Sequence, residues 1–180
     1  MPLNRIKLFT ISMWTLTVVH FVVLIYYWPY LPEKVAIHFN ALGEADNWTS
    51  KTGFLFLSMM VLIFTNGLFQ VIITNLPSFP KELVNIPNRD YWFGEERREA
   101  TVKKAINYLL WLANITCLFL VGLFYLIIQV NYYHASRLGN AFWILFVVYL
   151  IAFVFLTFEM MIFFFKVPKD WKKGESNLTK

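Results

Sequence analysis

Four apolar runs separated by polar stretches constrain this chain more than any other feature. They cover residues 8–30, 54–75, 106–130 and 141–165. A helix rises about 1.5 Å per residue, so about 20 residues cross a hydrocarbon layer of about 30 Å. Every run reaches that length. Apolar residues form 58% of the chain and aromatics 19%, more than a soluble domain of this size can hide behind its own surface. Membrane-spanning strands would alternate apolar and polar positions, whereas these runs are continuous. The expected fold is all-α: an integral membrane four-helix bundle in a single domain. Loops at 31–53 and 76–105 and a tail at 166–180 complete it. The third loop, 131–140, is short enough to make the last two spans an antiparallel hairpin.

The first run follows Arg5 and Lys7, as a secretory signal would. It is too long for a signal core and ends in Tyr27-Trp28-Pro29-Tyr30 rather than small residues, so it reads as a retained helix. Pro29 and Pro32 close it by removing backbone donors. The basic residues are unevenly shared. Arg5, Lys7, Lys81, Arg89, Arg97, Arg98, Lys103, Lys104, Lys166, Lys169, Lys172, Lys173 and Lys180 fall on one side, and only Lys34, Lys51 and Arg137 on the other. The positive-inside rule then puts both termini in the cytoplasm. The net charge of +5 reflects this bias and contact with anionic headgroups, so the lipid bilayer, not nucleic acid, is the expected partner of the basic residues. Tyr26, Tyr27, Trp28, Tyr30, Tyr132, Tyr133, Trp143 and Trp171 flank the spans at headgroup level. Cys117 is the lone cysteine, so no intrachain disulfide can form.

Between spans one and two, Val35, Ile37 and Phe39 alternate with Ala36 and His38 and predict a short extended piece. Residues 40–47, with Gly43 inside, read as a turn, and Thr49 or Ser50 as the cap of span two. Pro77 and Pro80 end that span. Residues 95–104 predict a helix running straight into span three, with Glu99 and Lys103 four apart and able to pair. Arg89, Asp90, Glu95, Glu96, Arg97 and Arg98 are candidates for an ion-pair cluster against the helix ends.

Lipid offers no hydrogen bonds, so polar residues inside the spans need partners. Glu159 stands among Phe158, Met160, Met161 and Ile162; an ionised carboxylate there costs several kcal/mol unless paired. Asn66, Gln70 and Thr74 repeat every four residues on one face of span two. Asn107, Asn114 and Cys117 mark span three, and His20 with Thr17 marks span one. A polar seam through the bundle interior is the simplest expectation, containing Glu159, His20, Asn66, Gln70 and Asn114. Its amides and hydroxyls would glue helices at about 1 kcal/mol each or less, or Glu159 and His20 would form a proton relay or ligand site. On the relay reading Glu159→Gln impairs activity and leaves insertion intact.

The segment Leu31-Pro32-Glu33-Lys34-Val35-Ala36-Ile37-His38-Phe39-Asn40, followed by Gly43, Asp46, Trp48 and Ser50-Lys51, resembles the signature of a bacterial membrane domain of unknown function. That domain is found in SdpI-type immunity proteins and in stand-alone short relatives. Asn85-Ile86-Pro87-Asn88-Arg89-Asp90-Tyr91-Trp92, with Glu95-Glu96-Arg97-Arg98-Glu99, is similar to the inner loop of the stand-alone members. Phe93-Gly94-Glu95 departs from it, and the chain stops before the second half of a full-length SdpI-type protein. The resemblance implies a multi-pass protein of the bacterial cytoplasmic (inner) membrane with an immunity or sensor role.

The expected function is accordingly non-enzymatic: binding a membrane-protein or peptide partner, or serving as an accessory subunit, with a homo-oligomer as one possible assembly. An oligomeric transporter or channel-like subunit using the seam is the second reading, and a membrane enzyme the third. His38, Glu33, Glu44 and Asp46 lack tight ligand spacing such as His-x-x-x-His, so no metal or other cofactor is expected. His38 instead hydrogen-bonds within a folded cap, Gly43 supplies a turn, and Trp48 and Lys51 anchor it at the headgroups.

Overall fold

The computed structural model describes residues 3–168 and residue 171. Its elements are α1 (Leu3–Tyr27), β1 (Lys34–Phe39), β2 (Ala45–Ser50), α2 (Lys51–Asn75), the short α3 (Arg89–Trp92), α4 (Glu95–Tyr132) and α5 (Asn140–Phe165). Four of these helices are long and apolar enough to cross a membrane, the proportions of a multi-pass membrane protein. As the charge and propensity of residues 95–104 require, α4 runs unbroken for 38 residues. The first quarter of α4 precedes the apolar run, and the i,i+4 pair of Glu99 and Lys103 forms on it.

Helices α1, α2 and α4 make the packed unit. Helix α4 is buried on a broader face, whereas α1 and α2 each contribute one narrow buried stripe: Met13, Thr17, His20 and Leu24 on α1, and Phe54, Ser58, Leu62 and Asn66 on α2. These three- and four-residue steps keep one helix face inward. Two apolar clusters fill the interior. One, near the β-hairpin, contains Leu24, Leu31, Val35, Phe54, Leu62, Cys117, Phe124, Ile127 and Ile128. The other, against Ile6 and Phe9 at the start of α1, contains Ile73, Leu76, Phe93, Val102, Ile106 and Leu110.

The fourth span is set apart. Helix α5 packs along α4 and makes no substantial contact with α1 or α2, and no residue of its apolar window is buried. Gly122 permits the approach: a Cβ there would meet Leu145 Cδ2 at 3.0 Å. Phe119 and Tyr149 stack at 4.3 Å across the same seam. The four membrane-length helices are therefore three in a bundle and one on its flank.

The loop between α1 and α2 adds a small two-stranded hairpin to the helical bundle. Residues 34–39 are extended, as the alternation of Val35, Ile37 and Phe39 requires, but 45–50 form a second strand antiparallel to them. The turn shrinks to Asn40–Glu44. There Asn40 Oδ1 accepts from the backbone N–H of Leu42 (2.9 Å) and Glu44 (3.0 Å), and Gly43 takes φ +78°, which suits glycine. Strand β2 reads Ala-Asp-Asn-Trp-Thr-Ser, without an apolar alternation to mark it. Ser50 ends the strand and caps α2, its hydroxyl accepting from Gly53 N at 3.0 Å.

Candidate functional site

The hairpin is a cap sitting on the ends of α2 and α4. Val35 lies in the apolar cluster, with Ile37 and Phe39 packed against it. Asn131, at the end of α4, fastens the strand: its Oδ1 accepts from Ala36 N (2.7 Å) and its Nδ2 donates to Ala36 O (3.0 Å). The side-chain amide thus replaces a neighbouring strand and satisfies an inward-facing backbone pair. The loop after α4 holds the other edge. Ala45 N donates to Ser136 O (3.0 Å), Leu138 N to Gly43 O (2.8 Å), and the backbones of Glu44 and Arg137 pair as an isolated antiparallel bridge. A Cβ on Gly43 would also reach Leu138 O at 3.4 Å.

A cleft of about 310 Å³ opens between this cap and the adjoining ends of α4 and α5. Ile37, Phe39, Ile127, Phe142, Trp143 and Phe146 are among its walls, and His38 stands at its rim. His38 Nδ1 contacts Asp46 Oδ1 at 2.5 Å across the hairpin, with both side chains exposed. Asp46 orients the imidazole, and no other side-chain hydrogen bond to His38 exists among the described residues. Nor do three His, Cys, Asp or Glu side chains converge there to hold a metal. Trp48 is half exposed on the hairpin, while Lys51 Nζ sits 5.0 Å over the Trp28 ring.

Beneath the cap the polar residues of the spans form a knot rather than a continuous seam. Asn66 Nδ2 donates to Thr17 Oγ1 (2.8 Å) and to Met13 O (3.2 Å). Thr17 Oγ1 and Cys117 Sγ converge on the same carbonyl at 3.3 and 3.5 Å. Closer to the cap, His20 Nε2 meets Ser58 Oγ at 3.0 Å. Since Ser58 Oγ donates its proton to Leu55 O (3.2 Å), the imidazole supplies the N–H. Phe124 covers the ring at 5.2 Å. At the other end Thr10 Oγ1 donates to Gln70 Oε1 (3.2 Å), and Gln70 Nε2 to Thr74 Oγ1 (3.0 Å). Asn114 spends its amide on Leu110 O (2.9 Å) and Phe9 O (3.4 Å).

Glu159 does not join this network. It lies exposed on α5, which makes no substantial contact with α1 or α2, so the expected seam through Glu159 is replaced by a knot of three helices without it. The physical reason is the position of α5: a side chain can meet the interior polar groups only from a helix that lines the interior.

The loop before α4 has a different task from the expected ion-pair cluster. Asn88, at φ +51°, donates through Nδ2 to Phe165 O (3.1 Å) and Phe164 O (3.3 Å), and Trp92 Nε1 donates to Phe164 O (2.8 Å). The last carbonyls of α5 lack helical partners, and these two side chains supply them. Arg98 Nη2 likewise donates to Phe79 O (2.8 Å) and Pro77 O (3.2 Å), and Arg97 stacks on Tyr91 at 4.4 Å. Among the described residues neither arginine, nor Arg89, pairs with Asp90, Glu95 or Glu96. Planar guanidinium groups satisfy carbonyls and cover rings equally well, and the carbonyls are nearer. Asn85, Asn88, Arg89 and Asp90 line a small open pocket together with Trp171, and Pro87 precedes the left-handed Asn88.

Residues 15–63 match the family model of a domain of unknown function, DUF1648. No curated protein and no solved structure matches the chain. The DUF1648 segment runs from α1 through the hairpin into α2 and contains Thr17, His20, the whole cap and Ser58. Asn66, Asn131 and the α4–α5 walls of the cleft lie outside it, so the cap is held from beyond the segment the family describes.

Two anchors of this architecture escape a reading of the sequence. Asn131 sits where an apolar run gives way to Tyr132 and Tyr133, and resembles any polar residue at a span boundary. Ser58 is a small hydroxyl in an apolar run. Its signal was its position opposite His20 at similar depth once the spans are drawn antiparallel.

Proposed function

We propose that this protein is a non-enzymatic, partner-binding membrane protein whose cap receives an apolar side chain of a peptide or of an exposed protein segment. On this reading both termini lie in the cytoplasm of a bacterial cell and the cap faces outward. The lysine and arginine asymmetry supports that orientation. The observation that carries the proposal is the cleft: about 310 Å³, largely apolar and aromatic, with His38 and Asn40 as its polar lining residues and Asp46 holding His38. Preformed binding sites have this composition, with few polar groups fixing orientation. Asn131 on one side and the 136–138 loop on the other hold its walls before any partner arrives, which lowers the entropy lost on binding. The likeness of the loops to SdpI-type immunity proteins favours a peptide partner.

An enzymatic use of His38 requires a nucleophile within hydrogen-bond reach, and among the described residues its one side-chain partner is Asp46. A transport path along the seam requires continuity past Glu159, and the polar knot closes on Met13 O instead. Neither alternative is favoured by an observation.

The test is selection from a random peptide display library against the full chain in nanodiscs. Enriched peptides should share an aromatic or aliphatic anchor, and Trp143→Ala should weaken them about tenfold or more, the usual cost of losing an aromatic anchor. Peptides that bind Trp143→Ala and His38→Ala as well as they bind the unaltered protein would refute the cleft as the site.

A further inference from the structure

Glu159 presents a problem that the fold leaves unsolved. It is exposed on a helix whose neighbouring side chains are Phe155, Phe158 and Ile162, themselves 60%, 64% and 38% exposed. Six residues separate it from Phe165, the last of α5, which places it roughly 9 Å along the axis from that end. Cα–Cβ bonds lean toward a helix N-terminus. Helix α5 begins at the cap end, so the Glu159 side chain leans toward the membrane midplane and away from the nearer headgroups. Long side chains near a helix end escape lipid by reaching the interface; here the Cα–Cβ bond starts in the opposite direction. Lys166 lies on the same face two turns on, yet makes no ion pair with it, and no hydrogen bond to Glu159 exists among the described residues.

Charge in hydrocarbon is tolerated when a partner supplies the opposite sign. We infer that the Glu159 face of α5 docks a transmembrane helix of another protein that carries a lysine or arginine at the same depth. A second copy of this chain does not meet the requirement. Residues 8–33, 52–80, 105–136 and 138–165 contain no lysine or arginine, and His20 is buried in the polar knot. A two-fold pair of copies would set Glu159 against Glu159, two like groups rather than a complementary pair. The remainder of the face suits a helix in lipid. Ile144, Val148, Ile151 and Phe155 are each at least 60% exposed and offer continuous van der Waals surface to a neighbour. This surface is distinct from the cap cleft and does not depend on the cleft's occupant.

The experiment reconstitutes the labelled full chain in phosphatidylcholine vesicles with synthetic leucine–alanine helices of about 24 residues. One helix bears a single lysine at the depth of Glu159, and the other has leucine there. Energy transfer should report association with the lysine helix about tenfold above the leucine helix. Glu159→Leu should remove that difference, and Glu159→Gln, which keeps size and hydrogen bonding without charge, should remove most of it. Equal association with both helices overturns the inference, as does full retention of the difference in Glu159→Gln. A dimer of the chain that depends on Glu159 and resists the lysine helix also overturns it, in favour of a second copy.

Discussion

Asn66 and Glu159 both sit in helices of membrane length, each surrounded in sequence by apolar residues, and the protein treats them in opposite ways. Asn66 is completely buried, and its amide holds α2 to α1 through Thr17 and the Met13 carbonyl. Glu159 belongs to the flanking helix and faces outward with no described partner. The contrast shows that a polar residue in a span carries no fixed meaning. Its helix's place in the packing decides between an internal fastener and an outward-facing contact point. The cap repeats the internal solution at the membrane boundary, where Asn131 closes three hydrogen bonds, the third to Ile127 O at 2.9 Å.

Asn131→Ala tests the internal solution where it should matter most. It strips the buried Ala36 N–H and C=O of their partner, and an orphaned buried group costs about 1–3 kcal/mol. The expected loss is about 2 kcal/mol, seen as faster hydrogen exchange at the Ala36 amide and a looser hairpin, with α1 and α2 still inserted. Unchanged protection at Ala36 would show that the strand is held by Val35 packing and the 136–138 loop alone.

Asn66→Leu should have a smaller effect, about 1 kcal/mol, in line with interhelical hydrogen bonds in membrane bundles. Two features moderate it. Thr17 Oγ1 still donates to Met13 O after the change, and the Asn66 Oδ1 atom already lacks a partner in the folded protein, so leucine removes an unpaired acceptor too. Reversible unfolding in mixed detergent micelles measures it. A loss well beyond 2 kcal/mol would mean that the Met13 carbonyl depends on Asn66 alone.

The sequence exposes some of this arrangement and hides the rest for definable reasons. The spans are legible because lipid demands long continuous apolar runs. The length of α4 is legible because residues 95–104 combine helix formers with an i,i+4 ion pair. Strand β2 is illegible because Asp46, Asn47, Trp48 and Ser50 are exposed, with no alternating apolar face to leave a periodic trace. The capping of α5 by Asn88 and Trp92 joins residues more than seventy positions apart, and no local signal reports such a distance. The polar residues of spans one to three are visible as a set, and their convergence follows from depth. Glu159 is equally visible, yet depth alone assigns it to the wrong group, because α5 flanks α4 instead of closing the bundle.

Glu159→Leu, measured on the isolated protein, should produce the smallest change, and its sign is the informative part. Truncating an interior hydrogen-bonding side chain removes a fastening. Replacing an outward-facing carboxyl on α5 removes none, since no described partner is lost, and leucine suits hydrocarbon better than a carboxyl does. The expected shift is within about 0.5 kcal/mol of zero or toward greater stability, in the same micelle unfolding measurement that reports a loss for Asn66→Leu. A loss of 1 kcal/mol or more in Glu159→Leu would give this carboxyl a fastening role inside the fold and erase the distinction between the two residues. A neutral or stabilising result would leave Glu159 as a residue that costs the lone protein stability and returns nothing to it, which is what a side chain kept for a partner does.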